Sequence, residues 1–132
     1  SRRFVHGPPG AASATKLAHQ VVLSATLSAH VDGLALAEAF GVDATSAREA
    51  IVSGLAESWV GRNWAVLPGI AADYDAARVP ESDRPWAKHL QLFMDSAHLA
   101  GTPSDLATHL ERVVGNDIET LKIQQQNGRS TS

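Results

Sequence analysis

The sequence predicts an all-α domain built around one long central helix, and three observations predict it. No segment alternates apolar and polar residues over a strand's length. Caps, prolines and glycines instead cut the chain into pieces of helical length. From Leu17 to Val31 there is no Asp, Glu, Lys or Arg, and a helix apolar all round is buried, within one domain or in a dimer. At 132 residues, 44% apolar and 19% charged, the chain has the length and composition of one globular domain with a core.

The first helix is placed from Ser13, as cap, to Phe40, with Gly41 as its stop. Roughly 27 residues give it a length of about 40 Å. Leu17, Val21, Val22, Leu23, Leu27, Val31, Leu34 and Leu36 spread around it, while Ala18, Ser24, Ala25, Ser28, Ala29, Gly33, Ala35 and Ala37 let neighbouring backbones come close. His19, Gln20, His30 and Asp32 interrupt the apolar run and argue against a membrane span.

A second helix is expected after Asp43-Ala-Thr-Ser46, where Ser46 and Glu49 have the spacing of a capping box, running past Gly54 to Ala56. Between Glu57 and Arg84 the period is lost, and Trp59, Trp64, Pro68, Gly69, Tyr74 and Pro80 predict short helical pieces and loops over the core. Trp59 and Trp64 are assigned to packing rather than to a substrate pocket. Pro85 opens a helix that Gly101 closes. Thr102-Pro103-Ser104-Asp105 reads as a cap with proline in the first helical position, starting a helix to Val114. Gly115-Asn116 is read as its stop, Asp117 as the cap of a last short helix to Gln125, and 126–132 as a frayed tail.

Composition excludes several classes of function. The net charge of −3 and the absence of a basic run longer than Arg2-Arg3 argue against nucleic acid or an anionic membrane as partner. Without cysteine there is no disulfide, thiolate nucleophile or Cys-ligated zinc, in keeping with a cytoplasmic protein. None of the six histidines forms an i, i+4 pair or a His-Glu-x-x-His motif, so no metal is expected. Gly-x-Ser-x-Gly and Walker sequences are absent. Gly7-Pro-Pro-Gly10 follows no strand, and its prolines lack the donors a phosphate needs, so it reads as a rigid entry to the long helix. Carboxylate pairs Asp73/Asp75 and Glu81/Asp83 fall in polar loops and are expected to be solvated. The chain opens on Ser1 with a polar, proline-rich stretch, read as the edge of a piece of a longer protein.

One position stands out. Lys16 is the lone cation at the mouth of the uncharged helix, where the positive end of the helix dipole and an Ala-rich surround would both favour the neutral amine. Such an amine exchanges a proton near neutral pH. His19 and Gln20 follow at i+3 and i+4, so an amine, an imidazole and an amide share one helix face. An anionic substrate fits there.

The stretch Gly7 to Gln20 resembles the start of the C-terminal helical domain of the β-hydroxyacid dehydrogenases, the relatives of 3-hydroxyisobutyrate and tartronate semialdehyde reductases. In these a Gly-x-x-Gly segment leads to a lysine with Asn at i+4. Glu38-Ala-Phe-Gly41-Val-Asp43 is similar to the family's helix end, Trp86-Ala-Lys88-His89-Leu90-Gln-Leu92 to its Lys-Asp-Leu-x-Leu helix, and Gly115-Asn-Asp117-Ile-Glu-Thr to its closing segment. The resemblance spans nearly the whole chain, in order.

It implies a fold like the C-terminal domain of 6-phosphogluconate dehydrogenase: 1–12 a linker from an N-terminal Rossmann domain, 13–125 a helical substrate and dimerisation domain, 126–132 a tail. It implies hydride transfer between NAD or NADP, bound mostly by the preceding domain, and a small carboxylate substrate, a β-hydroxy acid or its semialdehyde. Lys16 would be the catalytic acid/base, Gln20 and His19 would bind substrate, Lys88 would lie at the cofactor, and the long helix would form a homodimer. Gln20 stands where the family has Asn, and His89 where it has Asp. Those departures leave two alternatives, a non-catalytic dimerisation module and an imine-reducing relative. The phosphosugar enzymes themselves carry Asn at i+4 and Glu at i+7, against Gln20 and Leu23 here.

Overall fold

A computed structural model of the chain describes the backbone of residues 11–131 and the side chains of 13–123. The Gly7–Gly10 motif and most of the expected linker lie outside the described residues. Six α-helices follow one another: α1 Ala11–Ala39, α2 Ala44–Val52, α3 Trp59–Arg62, α4 Leu67–Ala76, α5 Pro85–Leu99 and α6 Asp105–Thr131, with short 3-10 turns at Trp64–Val66 and Glu81–Asp83. There is no strand among the described residues, and the domain is all-α.

Helices α1, α5 and α6 pack on one another as a three-helix core, α4 lies on α6, and α2 and α3 lie on α1. Leu27 and Val31 of α1, Val60 of α3, Ala71 of α4, Leu90 of α5 and Leu110, Val114 and Ile118 of α6 form the apolar centre. Leu90 is fully buried. Helix α1 is long and apolar enough to cross a membrane by length and composition. It buries Leu17, Ser24, Leu27, Val31 and Leu34 within the domain but leaves Val22 and Leu36 exposed, so it is a core helix along one side rather than buried all round as its sequence predicts.

Glycine closes α1 and α5 in the same way. Gly41, at φ +87°, bonds to the Glu38 carbonyl at 3.0 Å, and Val42 N–H reaches Ala37 O at 3.0 Å. Gly101, at φ +75°, repeats the pattern with His98 and Ala97. Both are the paired C-terminal bonds of a Schellman motif, where a left-handed residue satisfies the last carbonyls. Helix α4 ends with the same bonds, from Arg78 to Asp75 and Val79 to Tyr74, but Arg78 takes the left-handed conformation at φ 56°.

Several element boundaries differ from those read in the sequence. Helix α1 is already formed at Ala11, so Ser13 lies inside it rather than capping it. In α2 the cap is Asp43, whose carboxylate accepts from Ser46 N–H at 2.8 Å and from Ser46 Oγ at 3.0 Å, and the helix stops at Val52, before Gly54. Ser104 caps α6 by accepting from Ala107 N–H at 3.0 Å, which leaves Pro103 outside the helix.

The largest correction is in α6, which does not stop at Gly115-Asn116 and is not followed by a separate short helix. Its buried stripe runs through Ala107, Leu110, Val114, Ile118 and Leu121 without a break. Burying Ile118 and Leu121 on the same face is worth more than the roughly 1 kcal/mol that a mid-helix glycine costs. A Cβ at Gly115 would lie 3.1 Å from Glu81 Oε2, the carboxylate oxygen that accepts from Trp86.

Candidate active site

Two adjoining features of α1 form the site. The first is cationic. Lys16 is exposed on α1 and Lys88 on α5, and His89 beside Lys88 is half-buried. Burial, then the charge of Lys16, then that of Lys88 hold the His89 imidazole below the usual histidine range, so at neutral pH it is uncharged. Its Nδ1 is buried and has no hydrogen-bond partner among the described residues. The packing of α5 on α1 therefore brings together Lys16 and the Lys88-His89 pair, which lie far apart in the sequence.

Lys16 itself sits differently from its sequence reading. It lies beyond the first turn of α1, where the dipole effect has fallen off, and its side chain is exposed to solvent rather than enclosed by alanines. His19 is also exposed, while Gln20 is half-buried and turns inward.

The second feature is a cleft of about 210 Å³ that begins at Gln20 and is walled by all the major elements except α2. Ser24, Trp59, Tyr74, Trp86 and Ile118 are among its walls, and no Asp, Glu, His, Lys or Arg lines it among the described residues. Trp86 is held by donating Nε1–H to Glu81 Oε2 at 2.7 Å, and its ring meets Tyr74 edge-on, with centroids 5.3 Å apart. Asp75, in turn, pairs with Arg84 at 2.7 Å and with Lys122, which holds its carboxyl below the usual range through the Lys122 and then the Arg84 hydrogen bonds. Asp75 and Glu81, expected to be merely solvated, are thus engaged.

The two early tryptophans have different fates. Trp59 is half exposed and lines the cleft, contrary to the packing assignment. Trp64 does pack: it stacks on buried His30 with ring centroids 5.3 Å apart. His30 donates Nδ1–H to Thr26 O at 2.9 Å, and Nε2 has no partner among the described residues. Gly61 permits this arrangement, because a Cβ there would lie 2.8 Å from both His30 Nε2 and Val52 Cγ1.

Sequence reasoning missed Ser24, Tyr74 and Trp86 as cleft residues. Ser24 carried a usable signal, as a hydroxyl two turns beyond Lys16 on an otherwise apolar helix. Tyr74 and Trp86 carried none, since their convergence depends on how α4 and α5 each pack against α6. Among the described residues no group of three or more His, Asp or Glu side chains is placed to hold a metal ion.

The model of the family described as NAD-binding of NADP-dependent 3-hydroxyisobutyrate dehydrogenase matches residues 10–120. No curated protein and no solved structure matches the chain.

Proposed function

The chain belongs to this family of NAD(P)-dependent oxidoreductases, and from that premise we infer that it is the C-terminal helical, substrate-binding half of an enzyme that interconverts a small β-hydroxy acid and its semialdehyde. The observation that carries the reading is the packing of α1 on α5, which puts the charge of Lys16 within reach of His89 beside Lys88. Two cations beside a neutral imidazole suit anionic ligands.

In this reading a nicotinamide cofactor supplies or accepts the hydride. Lys16 gives a proton to the substrate oxygen in reduction and takes one from the hydroxyl in oxidation. Gln20 and His19 hold the substrate from one helical turn further on. The chemistry of Lys88 fits the anionic groups of NAD or NADP. Most of the cofactor is assigned to a preceding domain, as the family resemblance implies. Dimerisation through α1 is part of the proposal, supported by Val22 at 63% and Leu36 at 64% exposure, with Phe40 just beyond the helix at 81%. An exposed apolar stretch on a long helix is a surface that a second copy can cover. The same face supports the second reading, a dimerisation module without catalysis. The protein is taken as cytoplasmic, with neither nucleic acid nor membrane as partner, on its lack of cysteine and its charge of −3.

The test is nicotinamide oxidation or reduction by the full-length protein with hydroxy acids, semialdehydes and cyclic imines. Lys16→Ala should lower turnover by about a hundredfold or more and leave the circular dichroism spectrum unchanged. Undiminished turnover in that variant would remove Lys16 from the chemistry.

A further inference from the structure

We propose that the cleft beyond Gln20 receives an uncharged ring, aromatic or alicyclic, carried by the carbonyl substrate, and that Gln20, Ser24 and Tyr74 orient it while its carbonyl lies toward Lys16. The inference rests on the oxidoreductase reading for the direction of the carbonyl, and on the cleft alone for the ring.

Lys16, Gln20 and Ser24 stand at i, i+4 and i+8 of α1, one helical turn of about 6 Å apart at each step. Along this row the side chains pass from exposed Lys16 through half-buried Gln20 to Ser24, which is 7% exposed. The row therefore leads from the cationic end into the cleft. Its walls are apolar apart from the Gln20 amide, the Ser24 and Tyr74 hydroxyls and two indole N–H groups, of which that of Trp86 is taken by Glu81. Neither Gln20, Ser24 nor Tyr74 has a side-chain hydrogen-bond partner among the described residues. All three line the cleft, and a ligand oxygen or nitrogen is a partner their amide and hydroxyl groups can take there.

Charge decides which part of a substrate enters. A carboxylate drawn into walls without a cation would lose its hydration unpaired. It stays at Lys16 and Lys88, and the apolar part goes inward. Size then sets the class. An apolar cavity of about 150 Å³ holds a benzene ring, and this one measures about 210 Å³. Trp86, pinned by Glu81 and braced edge-on by Tyr74, offers a fixed aromatic wall for such a ring.

The experiment is a binding titration of the full-length protein, without nicotinamide, followed by amide and indole NMR shifts. Cyclohexanone is the probe and acetone its ringless comparator. Each added carbon buried is worth about fourfold, so cyclohexanone should bind at least tenfold more tightly. Ser24→Leu, which fills the cleft, should remove that preference. Tyr74→Phe, which keeps the ring contact with Trp86, should weaken cyclohexanone by about two- to tenfold with an unchanged Tm, and it decides the matter should Ser24→Leu fail to fold.

Equal affinities for the two ketones would overturn the proposal. So would a folded Ser24→Leu that still binds cyclohexanone, or a change of oligomeric state in that variant with no ketone bound, which would give the cleft to a second copy of the chain. Because binding is read without the cofactor, ring preference without any turnover keeps the cleft and removes the oxidoreductase reading. Turnover of ringless hydroxy acids without ring preference does the reverse.

Discussion

The cationic end of α1 and the cleft two turns along the same helix are built in opposite ways. At the cationic end two helices set Lys16 and Lys88, whose charges are open to solvent, beside half-buried, neutral His89. In the cleft five helices enclose apolar side chains around three hydroxyl and amide groups. The first can change a residue with little effect on the fold, because exposed charges contribute little to stability. The second cannot, because each wall is also core. The chemistry and the binding selectivity of this helix are therefore under different physical constraints.

The largest way to test that contrast is Lys16→Ala, whose turnover should fall by two orders of magnitude or more while its thermal midpoint barely moves. Gly61→Ala should do the opposite. Its Cβ would press on His30 Nε2 and Val52 Cγ1 at 2.8 Å, and overpacking of this kind costs about 1–3 kcal/mol, measurable by urea or thermal unfolding. An unchanged midpoint would show that α3 is not held against α1 as described.

A smaller effect is expected from pH. Burial, Lys16 and Lys88 depress His89 in the folded protein, so the unfolded chain takes up a proton more readily. The contribution of neutral His89 to stability is present above the unfolded pKa of about 6.5 and is lost as pH falls below it. His89→Gln should flatten this part of the stability profile. Lys16→Ala should raise the His89 titration midpoint followed by imidazole NMR, and more than Lys88→Ala does. A His89 titration indifferent to Lys16 would separate the two helices' contributions to the site.

The smallest effect concerns the outer face of α1. Nothing lies within 4 Å of a Cβ built at Gly33, so Gly33→Ala should stabilise the chain by about 0.5–1 kcal/mol through helix propensity. A loss of stability instead would mean that this face is closely covered by a partner.

How much was legible in the sequence differs from element to element. The uncharged run behind Lys16 fixed α1, and Gly41 and Gly101 marked two helix ends because only a left-handed residue completes those closures. The end of α4 was hidden, since Arg78 fills the same role without a glycine's signal. Gly115 misled for the converse reason. A glycine in a helix looks like a stop until the buried stripe on both sides of it, Val114 and Ile118, is seen to continue. Asp43 and Ser104 capped where neighbouring residues of similar chemistry had been given the role, because a cap is decided by which side chain reaches the third amide.

For the site, the row Lys16, His19 and Gln20 followed from helical spacing alone, and the resemblance added Lys88. The sequence by itself determined the all-α class, the central helix and the residues that face each other one turn apart, because helix periodicity and local capping are short-range physics. Only the tertiary structure decided that Lys16 is exposed, that Gln20 turns inward while His19 does not, that Trp59 lines a cleft while Trp64 stacks on His30, and that His89 feels the charge of Lys16. Those outcomes depend on which helices meet and at what depth, and burial and long-range charge are properties of the packed assembly rather than of any segment of the chain.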